Sequence, residues 1–295
     1  TVIITGGNVT GKTEGNGAGI GGGSASDGKL KISIAGKDTL VTGNSYDGAG
    51  IGTGGDATNN KTEITIDSGT VDAKGNTGIG VAEDSQKCTD NTITINGGKI
   101  TATGTGHGAG IGNGTDSVTK GTTTITITDG EITAEGGRGA AGIGDGGSNW
   151  GNTVNVAISG GNITAIGGEG ASAIGGGYYE GDTDPVITVK IDGSNRALKI
   201  AAMVKGDGKG AIGEGVQEDE DPFTGVDFDT ITADKLGEDH GALVQFYNNY
   251  DETTGTGTLY KAIHNQKYIA ENYADHINDD HAWSNPTIIK EAAPG

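Results

Sequence analysis

One short motif constrains this chain more than anything else in it: Gly108-Ala109-Gly110-Ile111-Gly112 recurs almost unchanged from one end to the other. Its isoleucine reappears as Ile20, Ile51, Ile79, Ile111, Ile143, Ile174 and Ile212, at separations of 31, 28, 32, 32, 31 and 38 residues. A period of this length marks a stacked repeat, in which each unit is too small to bury its own apolar face and must bury it against the next.

Between the motifs each repeat holds two alternating segments, clearest in Thr92-Ile-Thr-Ile95, the Gly97-Gly98 turn and Lys99-Ile-Thr-Ala102. Alternation with period two sends Ile93, Ile95, Ile100, Ala102, Ala109 and Ile111 to one side and Thr92, Thr94, Thr101 and Gly110 to the other. Neighbouring repeats supply the same inward positions, for example Ile64, Ile66, Val71 and Ile79 before, and Ile125, Ile127, Ile132 and Ile143 after. The expected fold is all-β: a right-handed parallel β-helix of about seven three-strand coils of roughly 31 residues, the hand following the crossover preference of parallel sheets. Glycine has two expected tasks. Gly6-Gly7, Ser68-Gly69, Gly97-Gly98, Asp129-Gly130 and Gly160-Gly161 supply positive-φ turns. Gly19, Gly50, Gly78, Gly110 and Gly142 face outward and leave a flat surface open to backbone or ligand.

Composition agrees with a thin repeat core rather than a globule, since 60 glycines accompany only 32% hydrophobic residues. The net charge of -20 repels phosphate backbones and anionic lipid, so nucleic acid is not an expected partner. No stretch reaches the roughly 20 apolar residues of a membrane helix, and the first residues carry no signal peptide. Cys88, the single cysteine, excludes an internal disulfide. Thr1-Val-Ile-Ile-Thr-Gly-Gly matches the middle of later repeats, so the chain reads as a fragment that starts inside a coil.

The pattern ends at the acidic run Gln217–Pro222, dividing the chain into repeats over 1–215 and a C-terminal mixed cap or accessory domain over 216–295. Nine of the thirteen aromatic residues fall in the second part, where Ala242–Tyr247 and Thr258–Ile263 read as strands. His276 and His281 with Asp275, Asp279 and Asp280 read as polar surface of that cap, their spacing matching no zinc pattern.

Two groups of residues could carry function. Tyr46, Trp150, Tyr178 and Tyr179 are the aromatics outside the cap, and together they could stack sugar rings beside the flat glycine surface. The alternative is that they shield loop backbone. The loops after the motif carry carboxylates that would repel one another at coil spacing, a repulsion relieved by solvent or by calcium. Asp116, Asp145, Glu180, Asp182 and Asp184 are the candidate calcium ligands. The Gly17, Gly19, Gly22 match to a dinucleotide loop is not followed by a helix and is set aside.

The alternation of GAGIGGG-type and TITINGGKITATG-type segments over 1–215 resembles the Gly-rich repeats of large secreted or wall-attached proteins of Gram-positive, often gut-dwelling bacteria. That resemblance implies a right-handed β-helix that is adhesin-like or carbohydrate-binding, extracellular, and a partner of glycan, mucin or another host-surface ligand. The first expectation is therefore a non-catalytic adhesin-like protein or surface spacer. A polysaccharide lyase or glycoside hydrolase on the same scaffold, and a purely structural stalk, stand as alternatives.

Overall fold

The computed structural model describes residues 1–117, 121–179, 183, 185–191, 195, 197–205, 212–213 and 243–263. Among them every regular element is a strand, and no helix is long and apolar enough to cross a membrane. The strands form three sheets, of seven, nine and seven strands, and in each sheet neighbours lie three strands apart in sequence until the C-terminal hairpin. The chain is thus a parallel β-helix whose coils stack in the order in which they occur.

Register follows the repeat. In the first sheet Ile64 pairs with Ile93, Ile93 with Ile125, Ile125 with Val156 and Val156 with Val189, and Ile66, Ile95, Ile127, Ile158 and Ile191 form the column beside it. The second sheet contributes Val71, Ile100, Ile132, Ile163 and Ile200, with an alanine column from Ala73 to Ala202. The third is a ladder of two- and three-residue strands at the motif isoleucines, Ile20 to Ile212. All these columns belong to one buried core. Each fully buried Ile contributes about 1.5–3 kcal/mol, whereas ordering one residue's backbone costs about 1–2 kcal/mol, so a lone coil cannot offset its own ordering. The turn glycines take positive φ as expected, with Gly98 at 102°.

The inner column of the first sheet departs from this uniformity. Running from Leu30 through Thr62, Asn91 and Thr123 to Val154, it places three polar side chains inside the helix. All three are at most 1% exposed.

At the C-terminal end the expected strands are present as Leu243–Asp251 and Thr256–Ile263. The first continues the second sheet parallel to Lys199–Val204, placing Phe246 opposite Ala202 and wholly buried, and the second returns antiparallel. Lys205 ties the hairpin down: its Nζ lies 2.9 Å from Glu135 Oε1, two coils back, and also pairs with Glu252 in the hairpin turn. Burial works to lower the Lys205 ammonium, and the two carboxylates outweigh it and hold it above the ordinary lysine range. The boundary at 215/216 and the His276 and His281 cluster lie outside the described residues.

Candidate functional site

The motif itself makes a closed corner. At Ile20, Ile51, Ile111, Ile143 and Ile174 the backbone N–H two residues before the isoleucine donates to the carbonyl two residues after it, as Ala109 N does to Asn113 O at 2.9 Å and Ala141 N to Asp145 O at 2.9 Å. At Ile79 the Thr77 Oγ1 hydroxyl donates to Val81 O at 2.7 Å instead. The segment is a tight wedge with the isoleucine pointing inward. At Gly110 an added Cβ would stand 2.7 Å from Glu135 N, in the next coil's second strand. The glycines at this position therefore abut backbone, so that of the two approaches expected, by backbone or by ligand, it is the protein's own backbone that fills the space. The glycine after the isoleucine is the more demanding one. Gly112 has φ 140° and its Cβ would lie 1.8 Å from Gly144 O, a requirement that the alternation of side chains does not reveal.

The four aromatic candidates are not brought together. Tyr46 lies before Ile51 in the second coil, whereas Trp150, Tyr178 and Tyr179 follow Ile143 and Ile174, three and four coils further on. Trp150, Tyr178 and Tyr179 are half-buried. Tyr178 lies over two loop glycines, so that a Cβ on Gly139 would meet its Cβ at 3.2 Å and one on Gly170 its ring at 3.5 Å. Its backbone N donates to Gly139 O and its carbonyl accepts from Ser148 N, both at 2.7 Å. This is the covering role rather than an open platform.

Tyr46 behaves differently. Its side chain is 72% exposed and borders an open groove of about 480 Å³ lined by Lys12, Thr13, Glu14, Asn44 and Ser45. Lys12 and Asn44 are register partners on the outer face of the second sheet, and Thr13 N donates to Asn44 O at 3.0 Å. The turn that presents Tyr46 is pinned from within: Ser45 Oγ donates to Gly17 O at 2.7 Å and accepts from Gly48 N at 2.9 Å. Lys12 Nζ and Glu14 Oε1 stand 3.5 Å apart, both well exposed. An aromatic face, an amide, two hydroxyls, one ammonium and one carboxylate thus meet at one rim.

The acidic candidates separate as well. Asp116 is half-buried at φ 47°, in a ladder of left-handed residues that also contains Ala25, Asp56, Asp84 and Ser148. Asp145 is 1% exposed. Asn113 Nδ2 and Asn149 Nδ2 donate to its Oδ1 at 2.8 Å, Asn152 Nδ2 to its Oδ2 at 2.9 Å, and Gly146 N to Oδ1 at 3.2 Å. Asn113 Oδ1 in turn accepts from Thr123 Oγ1 at 2.7 Å. Burial pushes the Asp145 carboxyl up while these donors oppose the rise. The repulsion expected of it as a member of a loop series does not arise, because it points inward among N–H donors, whereas calcium takes oxygen ligands. Among the described residues no group of three or more His, Cys, Asp or Glu side chains is arranged to hold a metal. Glu180, Asp182 and Asp184 lie outside the described residues.

Glu83 is an acidic residue that sequence reasoning missed. Half-buried, it accepts a hydrogen bond from Asn76 Nδ2 at 3.0 Å, and burial followed by the charges of Asp47, Asp84, Asp56 and Asp116 pushes its carboxyl up to about 7. A signal existed in the aligned repeats. Four residues after the motif isoleucine the coils carry Ser24, Gly55, Glu83, Thr115, Gly147 and Tyr178, so Glu83 is the one charge in its column. Two residues after it they carry Gly22, Thr53, Val81, Asn113, Asp145 and Gly176, with Glu214 in the last copy, so Asp145 is the one charge there before the end of the repeats.

A family model described as "Beta helix repeat" matches residues 64–80, 93–115, 125–147 and 156–178. Each matched segment begins at an inward Ile or Val of a first strand and runs through the second and third strands of that coil. No curated protein and no solved structure gave a match.

Proposed function

We propose that this β-helix repeat protein is a non-catalytic, adhesin-like protein of the bacterial surface or surroundings that binds saccharide at the Tyr46 groove. The observation that carries the reading is the pairing of a 72% exposed tyrosine with an open groove of about 480 Å³ whose other lining residues, Lys12, Thr13, Glu14, Asn44 and Ser45, all carry polar groups on aliphatic stems. A sugar offers an apolar C–H face to an aromatic ring and hydroxyls to amide, hydroxyl and charged groups, and this rim has each of these. The groove lining contains a single carboxylate, Glu14, whereas glycoside hydrolysis by its usual route uses a pair. Binding without turnover is therefore the better fit. The Gly-rich repeats, by their resemblance to those of secreted and wall-attached proteins of Gram-positive gut bacteria, give the expected setting and a mucin or host glycan as ligand. The charge of -20 would keep an extended rod of this kind dispersed.

The test is a broad glycan and mucin screen on the folded chain, run with calcium and with chelator. Saturable binding that Tyr46→Ala abolishes, without a change in melting temperature, supports the reading. Binding that survives Tyr46→Ala moves the site elsewhere, and a folded protein that binds nothing in either arm favours a spacer.

A further inference from the structure

Tyr46 is held by a turn whose supports lead back to Glu83. Gly48 O accepts from Asn76 N at 3.0 Å, and Gly48 N donates to Ser45 Oγ at 2.9 Å, which closes the turn under Tyr46. The Asn76 side chain, 5% exposed, donates through Nδ2 to Glu83 Oε2 at 3.0 Å. Asn76 therefore grips the turn with its backbone and Glu83 with its amide. Asp47, inside the turn, is also one of the charges that face Glu83.

We propose that Glu83 is a proton-operated latch on the turn that carries Tyr46, closed when the carboxyl is protonated and loosened when it is charged. The surroundings supply the asymmetry. Asp47 faces Glu83 from the turn before Ile51, Asp56 from the loop after it, Asp84 from the adjacent position and Asp116 from the next coil. All are acidic, so each added charge on Glu83 pushes against the Asp47 side of the contact. Protonation removes that push and turns the carboxyl into a donor. The Asn76 amide can meet it, because Asn76 Oδ1 is buried and accepts no hydrogen bond, and a half-turn of the amide would bring it to the Glu83 hydroxyl. Of the cationic and titratable groups nearby, Lys74 is exposed, its carbonyl accepting from Ser45 N at 2.8 Å, and Lys12 pairs with Glu14. His107 occupies the corresponding turn of the fourth coil, where its ring stands near the Gly139 and Gly147 positions. The coupling of the latch to ligand affinity rests on the saccharide reading above, whereas the latch itself does not.

The experiment follows the backbone amide resonances of Tyr46, Asp47 and Gly48 in the full chain from about pH 5 to about pH 8.5, in wild type, Glu83→Gln and His107→Gln. A common step near neutrality that disappears in Glu83→Gln and persists in His107→Gln is the expected result. Absence of the step, or its survival in Glu83→Gln, overturns the latch. Glu83→Asp keeps a titratable group and should retain a step at a shifted position. In parallel, binding to immobilised mucin is expected to be about threefold to tenfold tighter at about pH 5.5 than at about pH 8, the full electrostatic effect being reduced by solvent. In Glu83→Gln the affinity should not change with pH. If the resonance step is seen while mucin binds at neither pH, the latch stands and the saccharide reading fails for that ligand. Mucin binding that ignores pH despite the step refutes the coupling.

Discussion

Asp145 and Glu83 lie two coils apart and only two positions apart within the repeat, yet their surroundings are opposite. Asp145 is sealed in the core and ringed by the amides of Asn113, Asn149 and Asn152 with the Gly146 N–H. Glu83 is half-open to solvent, holds one amide partner and faces four other carboxylates. The more deeply buried group is thus the better satisfied one. The comparison shows that burial alone does not decide whether a carboxylate is a structural element or a source of strain. What decides is whether the neighbouring coils offer donors or further acceptors.

The sharpest way to break the comparison is Asp145→Ala. It removes the acceptor of the Asn113 and Asn152 amides and the Gly146 N–H, and leaves the Asn149 amide only its backbone acceptors such as Gly114 O. It should lower unfolding free energy by about 3–5 kcal/mol in denaturant titration. A loss below about 1 kcal/mol would mean that the network is not holding the coils. Asp145→Asn should cost less, about 1–2 kcal/mol, because Oδ1 is preserved. The new amide faces Asn152, whose Oδ1 is buried without a hydrogen bond and could accept from it.

For Glu83 the effect runs with pH. Its carboxyl titrates at about 7 in the fold, above the ordinary 4.5, so over that interval the folded state holds a proton that the unfolded chain has released. The associated stability is present in full below about pH 4.5 and is lost as pH rises through about 7. The raised Asp145 carboxyl acts in the same direction. For a half-exposed group the full shift must be discounted for screening, leaving about 1–2 kcal/mol between acid and pH 8. Glu83→Gln should therefore melt higher than wild type at about pH 8 and nearly level with it at about pH 5. Equal melting temperatures at both pH values would remove Glu83 as the cause.

The smallest expected effect lies at a third charged position. Lys205 pairs with Glu135 and Glu252 at a partly open surface, and Lys205→Met should cost about 0.5–1 kcal/mol while loosening the Glu252 turn. Faster hydrogen exchange in Leu243–Asp251, with the coils unaffected, is the measurement that checks it.

The same contrast explains how much of the molecule could be read in advance. The coil period, the inward Ile columns and the turn glycines were legible because each depends on local alternation or on φ within a few residues. Ile93, Ile95 and Gly98 declare their places from their own neighbourhood. The polar column of Thr62, Asn91 and Thr123 was not legible, since a threonine or asparagine at the start of a strand looks like surface unless the coils are laid in register.

The candidate site was only partly legible. Tyr46 was selected only as an aromatic outside the cap, its exposure became visible only in the fold, and its grouping with Trp150, Tyr178 and Tyr179 supposed a shared surface that the stacking does not provide. Asp145 was selected as an acid in a loop, and nothing within its own repeat indicates that Asn113, 32 residues earlier, donates to it across the coil interface. The sequence by itself determined a parallel β-helix, because a strict repeat of inward aliphatic residues can bury them only against its own copies. Only the tertiary structure decided which acids are held, which repel and which aromatic stays open. Those outcomes depend in part on groups in neighbouring coils, such as Asn113 beside Asp145, 32 residues away, and Asp47, Asp56 and Asp116 around Glu83, which meet only once the coils are stacked.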